Sequence, residues 1–138
     1  MDARETPSGE VERLHTALDI TNTLISAVSA TDPVRALASR ISTLCRGTAI
    51  IYDFEGTVVA STGEAPTQLI WNEVAATNRR ELAIEIGRWH VRTRRVSLRD
   101  GVHVIAIAGR AVDTLDQIGE LLLDTSERLL GAVHGIQY

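Results

Sequence analysis

The run RWHVRTRRVSLRDGVHVIAIAG, residues 88–109, decides the fold. Asp100-Gly101 in its middle is a hairpin-turn pair flanked by β-branched and apolar residues, so two strands fold back on each other. Trp89, Val91 and Thr93 alternate with His90, Arg92 and Arg94, while Val96 and Leu98 take the other parity. A bulge near Arg94-Arg95 would account for that slip. VHVIAIA, residues 102–108, is apolar at nearly every position. Such a strand is expected to be central and covered on both faces.

Downstream, VDTLDQIGELLLDTSERLLGAVHGI (residues 112–136) reads as a long helix. Leu115, Ile118, Leu122 and Leu129 follow a heptad spacing, and Leu121, Leu130 and Val133 form a second stripe beside it. Two stripes allow one to cover the protein's own sheet and the other to meet a partner. Upstream, TAIIYDFEGTVVAST (residues 48–62) is a second hairpin, with Gly56 free to take positive φ at its turn. A short helix is expected over residues 67–77, and Leu82, Ile84 and Ile86 alternate as a further strand.

Two helices precede these strands. The first is expected over residues 9–28, capped by Ser8, with Val11, Leu14, Leu18, Thr21, Ile25 and Val28 on one spacing. The second opens at Asp32-Pro33, carries Leu37, Ile41 and Cys45 on its apolar face and ends at Gly47. Residues 1–8 read as a disordered leader and residues 9–138 as a single domain. The order α-α-β-β-α-β-β-β-α describes an α+β fold: an antiparallel sheet with the N- and C-terminal helices packed on one face.

A 138-residue chain that is 44 % hydrophobic is long enough for one proper core. No apolar run is long enough to span a bilayer, and the cytoplasm is the expected compartment. One cysteine excludes an internal disulfide and any multi-cysteine zinc site. The net charge of −4 argues against nucleic-acid binding by the domain as a whole, so DNA contact would need a separate domain. All 14 basic residues are arginine, which suggests a GC-rich coding bias of the actinobacterial kind.

No catalytic constellation, cofactor motif or metal-ligand spacing is apparent, and no enzyme activity is expected. Cys45 reads as a buried, inert thiol. His90 and His103 could face each other across the Asp100-Gly101 hairpin. Arg92 and Arg94 have two readings. They are either the solvated outer face of an edge strand or an anion site for an acidic metabolite. Trp71 is either a core anchor or the lining of a pocket beneath residues 63–78. The candidate ligand residues are therefore Trp71, His90, Arg92, Arg94 and His103. For a homodimer, the candidate interface is Leu115, Ile118, Leu122, Leu129 and Val133, with Leu14, Leu18 and Ile25.

The strings at residues 50–63 (IIYDFEGTVVASTG) and 88–109, with the closing LDQIGELLLDTSERLLGA, resemble GAF-like sensor domains. The likeness is to those at the N-terminus of PucR/CdaR-type helix-turn-helix transcriptional regulators, and it covers residues 11–133. It implies a cytoplasmic dimer that binds a small molecule and regulates transcription through a DNA-binding module absent from this sequence. A ligand-free dimerisation scaffold, GAF- or roadblock-like, is the alternative.

Overall fold

The computed structural model describes residues 5–99 and 101–136. Helix α1 spans Glu5–Ile25 and runs into a 3₁₀ turn, Ser26–Ser29. Next come α2 (Pro33–Cys45), β1 (Thr48–Tyr52), β2 (Val58–Thr62) and α3 (Thr67–Ala75). The chain continues through β3 (Glu81–Ile86), β4 (Trp89–Leu98), β5 (Gly101–Gly109) and α4 (Val112–Ile136). All five strands join one antiparallel sheet in the order β2-β1-β5-β4-β3. The expected element order and the α+β class hold.

The central strand is β5, as its uninterrupted apolar run requires, and residues 103–109 are all buried. Its alternate residues feed two cores. Ile105 and Ile107 join Ala49, Ile51 and Val96 under α1, α2 and α4. Val104, Ala106 and Ala108 join Ile50, Tyr52 and Val91 under α3, with Ile70 and Val74 inserted from the helix. Helices α1 and α4 therefore lie on one face and α3 on the other, as expected. Among the described residues no helix is long and apolar enough to cross a membrane.

Several local expectations need correction. Helix α1 begins at Glu5, so Ser8 lies inside it rather than capping it, and residues 1–4 lie outside the described residues. Asp32 does cap α2, accepting from the Arg35 amide at 3.2 Å with Pro33 at the first helical position. That helix ends one residue earlier than expected, because Arg46 rather than Gly47 adopts the left-handed conformation (φ 54°). Gly47 is needed for a different reason. A Cβ built on it would lie 2.0 Å from the Ala108 carbonyl oxygen, so only glycine lets the α2–β1 turn rest on the end of β5.

The expected bulge at Arg94-Arg95 is absent, since β4 pairs with β5 without interruption from His90↔Gly109 to Leu98↔Gly101. The irregularity lies elsewhere, between Ile51 and Tyr52 in the β1–β2 ladder. The parity change in β4 arises because both of its faces are covered. Arg92 and Arg94 point inward, toward partners on α4 and β3, on the same side as Val96, while Arg95 faces α3. Nor is β4 an edge strand: it lies between β5 and β3, and the edges are β2 and β3.

Arg95 shows what β4 contributes to the α3 face. Its Nη2 donates to the carbonyls of Val74 (2.8 Å) and Thr77 (2.6 Å), and its Nε donates to that of Arg79 (3.0 Å). These carbonyls lie at and beyond the C-terminus of α3, where a cation complements the helix dipole. One side chain thus fixes both the end of α3 and the link into β3.

Candidate functional site

On the α4 face, the arginines of β4 meet acids from two directions. Arg94 pairs across the ladder with Glu81 of β3, and its Nη2 lies 2.5 Å from the Glu81 carboxylate. Helix α4 supplies Glu120, Asp124 and Glu127 at positions i, i+4 and i+7, one edge of the helix. Arg94 Nη2 donates to Glu120 at 2.9 Å, Nη1 bonds Asp124, and Glu127 lies 3.7 Å from Nη1. Arg92 donates to Glu120 at 2.8 Å and to the Leu115 carbonyl at 3.3 Å. Arg80 holds Glu127 with both carboxylate oxygens, at 2.9 and 3.0 Å.

The Arg94 side chain is 3 % exposed. Burial works against its charge, but hydrogen bonds and charge from Asp124, Glu81 and Glu120 outweigh that, and the guanidinium is held more firmly protonated than usual. Room for its neighbour comes from Gly119. A Cβ there would lie 2.7 Å from Arg92 Nη1 and 3.2 Å from its Cδ, so this mid-helix glycine is a passage for the arginine.

This geometry overturns the anion-site reading of Arg94. Its forks are already bound by the protein's own carboxylates, and an incoming anion would have to displace them. The solvated-face reading fails too, because Arg94 is buried. The signal was present in the sequence: arginines at period 2 on a strand and acids at i, i+4, i+7 on the closing helix are complementary faces.

Beside this network an open cleft of about 610 Å³ runs between β3, β4 and the first half of α4. It brings together two of the five candidate ligand residues, His90 and Arg92. Its walls also carry Glu85, Asp116 and Glu120, with Val112 and Leu115 of α4 among the apolar lining. His90 Nδ1 lies 3.3 Å from Glu85. With three carboxylates against one arginine, and that arginine bound to Glu120, the cleft suits an anionic metabolite poorly.

His103 is not in this cleft. The ladder places His90 opposite Gly109 and His103 opposite Val96, six residue pairs apart and so on the order of 20 Å along the strand. The two histidines therefore cannot act as a pair. Among the described residues, no group of three or more His, Cys, Asp or Glu side chains is placed to hold a metal ion.

Trp71 acts as an anchor. Its ring packs 5.2 Å from that of Tyr52, whose hydroxyl donates to the Thr67 carbonyl at 2.7 Å. The indole also fills the space over the Gly56 turn, where a Cβ would come within 2.3 Å of it. The expected pocket beneath residues 63–78 is thus occupied by side chains of the second core. Cys45 is buried, and burial pushes its thiol up to about 11, so it stays a neutral, unreactive group near pH 7.

The candidate interface residues separate into two groups. Leu115, Leu122 and Val133 lie in the protomer's own core, Leu122 fully, while Ile118 and Leu129 are half-buried at its margin. The stripe of α4 expected to meet a partner therefore covers the sheet instead. On α1 the opposite holds. Ile20 and Leu24 face inward, while Val11, Leu14, Leu18 and Ile25 are 48–63 % exposed.

No protein-family model matches the sequence, and neither does any curated protein. Solved structures do match the fold. Myxococcus xanthus MglB superposes over 76 % of this chain and 97 % of its own, with a TM-score of 0.54 and 14 % identity. An MglB with a tetrameric arrangement covers 86 % of this chain and 93 % of its own (TM-score 0.53, 13 % identity). The phycoerythrobilin-bound GAF domain of a cyanobacterial phytochrome covers 91 % and 98 % (TM-score 0.53, 10 % identity). The chain thus has an α+β fold similar to those of GAF domains and MglB. At such identities the likeness defines the fold alone.

Proposed function

We infer that this domain is a non-catalytic regulatory module that self-associates through helix α1. The observation that carries the reading is the outward stripe of Val11, Leu14, Leu18 and Ile25. These residues recur at three- to seven-residue intervals along a helix whose C-terminal part already packs Ile20 and Leu24 into the core. Four large apolar side chains in one line, each about half exposed, are what an a/d seam offers to a second helix. A second copy of the chain brings the same seam, and two-fold pairing is the simplest closed way to cover it. The tetrameric arrangement of an MglB of similar fold supports this reading.

Leu18→Glu tests this reading. The side chain is exposed, so the substitution should change the stability of the protomer by no more than about 0.5 kcal/mol. In sedimentation-velocity runs the wild type should sediment as a dimer and the variant as a monomer with unchanged circular dichroism. A monomeric wild type at high micromolar concentration, or a variant that remains dimeric, removes the reading. Leu122→Glu, by contrast, would report on folding, because Leu122 is in the core.

The cleft holding His90 and Arg92 favours a second reading, a small-molecule sensor within a transcriptional regulator. On this reading DNA is contacted only by a separate module. A bilin-bound GAF domain of the same fold supports a ligand-binding use of the scaffold. The acidic walls of the cleft favour a cationic or amine ligand over the acidic metabolite first expected. Thermal-shift titration should show stabilisation that rises with the concentration of an organic amine and is lost in Glu120→Gln. A flat response across polyamines and amino-acid esters removes this second reading.

A further inference from the structure

A second cleft, of about 470 Å³, lies at the other end of the sheet from the β4–β5 turn, where α2 enters β1 and β5 leaves for α4. Two backbone segments touch there. The space that a Gly47 side chain would need is filled by the Ala108 carbonyl and approaches Gly109 Cα at 3.1 Å. Arg46 directly precedes Gly47 and Arg110 directly follows Gly109, and both arginines line the cleft. Neither side chain forms an ion pair with a described residue. They differ in this from Arg80, Arg92 and Arg94, which are all matched with carboxylates.

Arg110 lies over the Trp89 ring, 5.0 Å from its centroid. This cation–π contact holds the arginine at the cleft without neutralising it. Arg46 is the sole non-glycine residue of positive φ among the described residues, at a helix C-cap where glycine would be less strained. The rest of the wall is small or already satisfied. Ser42 Oγ donates to the Gly47 carbonyl, Thr48 Oγ1 accepts from the Ala65 amide, and Thr48 fills the place of a Gly63 side chain. Glu64 is the one carboxylate of the lining.

We propose that this cleft binds the phosphoryl group of a small soluble molecule between Arg46 and Arg110. Two forks at one opening suit a dianion that can accept from both, and Trp89 offers its ring to whatever the phosphoryl group carries once Arg110 swings onto the anion. The site is separate from the α1 seam and from the acidic cleft, so it stands or falls independently of the function proposed above.

The test uses the whole chain with inorganic phosphate and pyrophosphate as probes, against sodium chloride at matched ionic strength. Binding is read from tryptophan fluorescence and from thermal stability. Trp89 and Trp71 are the two indoles of the chain, and Trp71 lies on Gly56, away from this cleft. We expect a saturable fluorescence change that is lost in Trp89→Phe, with pyrophosphate binding more tightly than phosphate.

Arg110→Gln should weaken binding roughly tenfold or more, as loss of a charged hydrogen bond implies. Arg46→Gly should weaken it similarly while raising Tm, because glycine relieves the left-handed cap. That pairing separates binding from folding. Glu64→Gln should tighten binding. Equal responses to phosphate and chloride, or unchanged phosphate binding in the two arginine variants, would overturn the proposal. Binding to phosphatidylglycerol vesicles without any response to soluble phosphate would also overturn it, in favour of a membrane surface.

Discussion

Arg94→Gln should lower the stability of the domain by about 1.5–3 kcal/mol, the usual worth of hydrogen bonds between charged groups when one of them is buried. The large figure follows from where the charge sits. Glu81, Glu120 and Asp124 converge on a side chain that is 3 % exposed. Without it, three half-exposed carboxylates from β3 and α4 lose the cation that they share, and glutamine returns two donors but no charge. Urea denaturation should show the midpoint falling sharply with little change in slope. Arg80→Gln is the matched control. Arg80 is 66 % exposed and holds Glu127 at the surface, so its loss should cost less than about 1 kcal/mol. Similar losses in both variants would mean that the network does not fasten α4 to the sheet.

Gly47→Ala should be comparably damaging, although it adds one methyl group. The new Cβ would meet the Ala108 carbonyl oxygen at 2.0 Å and its carbon at 3.1 Å, both backbone atoms of the central strand. No side chain can swing aside, so either β5 or the α2–β1 turn must move. Overpacking of this kind costs about 1–3 kcal/mol, and more where the obstacle is backbone. Gly131→Ala is the contrast. Nothing lies within 4 Å of a Cβ built there, the position is inside the last two turns of α4, and alanine should stabilise by about 0.5–1 kcal/mol. Thermal melts of the two variants should therefore move in opposite directions.

The parts of the fold legible in the sequence are those that local chemistry dictates. Asp32-Pro33 starts α2, the apolar run of residues 102–108 forms the central strand, and the turns at Gly56 and Gly101 close the two hairpins. The Arg92–Arg95 stretch misleads for a physical reason. Charge on a strand normally faces water, so the arginines suggested an outer face and a bulge. A tertiary partner, the acidic edge of α4, makes inward arginines favourable instead. The interface stripes were also undecidable from periodicity alone. Both terminal helices carry apolar residues over about half of their circumference, and only packing shows that α4 turns its stripe inward while α1 leaves part of its own outside. The cleft at Arg46 and Arg110 left no trace in sequence order, because 63 residues separate two side chains that a glycine contact brings together.

The double grip of Glu120 has a mechanical consequence. One of its oxygens holds Arg92 and the other holds Arg94, while Glu81 shares the same nitrogen of Arg94. Rolling α4 about its own axis must break these bonds together, because they leave the helix along a single edge. Greasy contacts, lacking direction, would let a cylinder creep round by small steps. Here rotation is indexed, so a torque applied near residue 136 is transmitted to the edge strand instead of being dissipated as slippage.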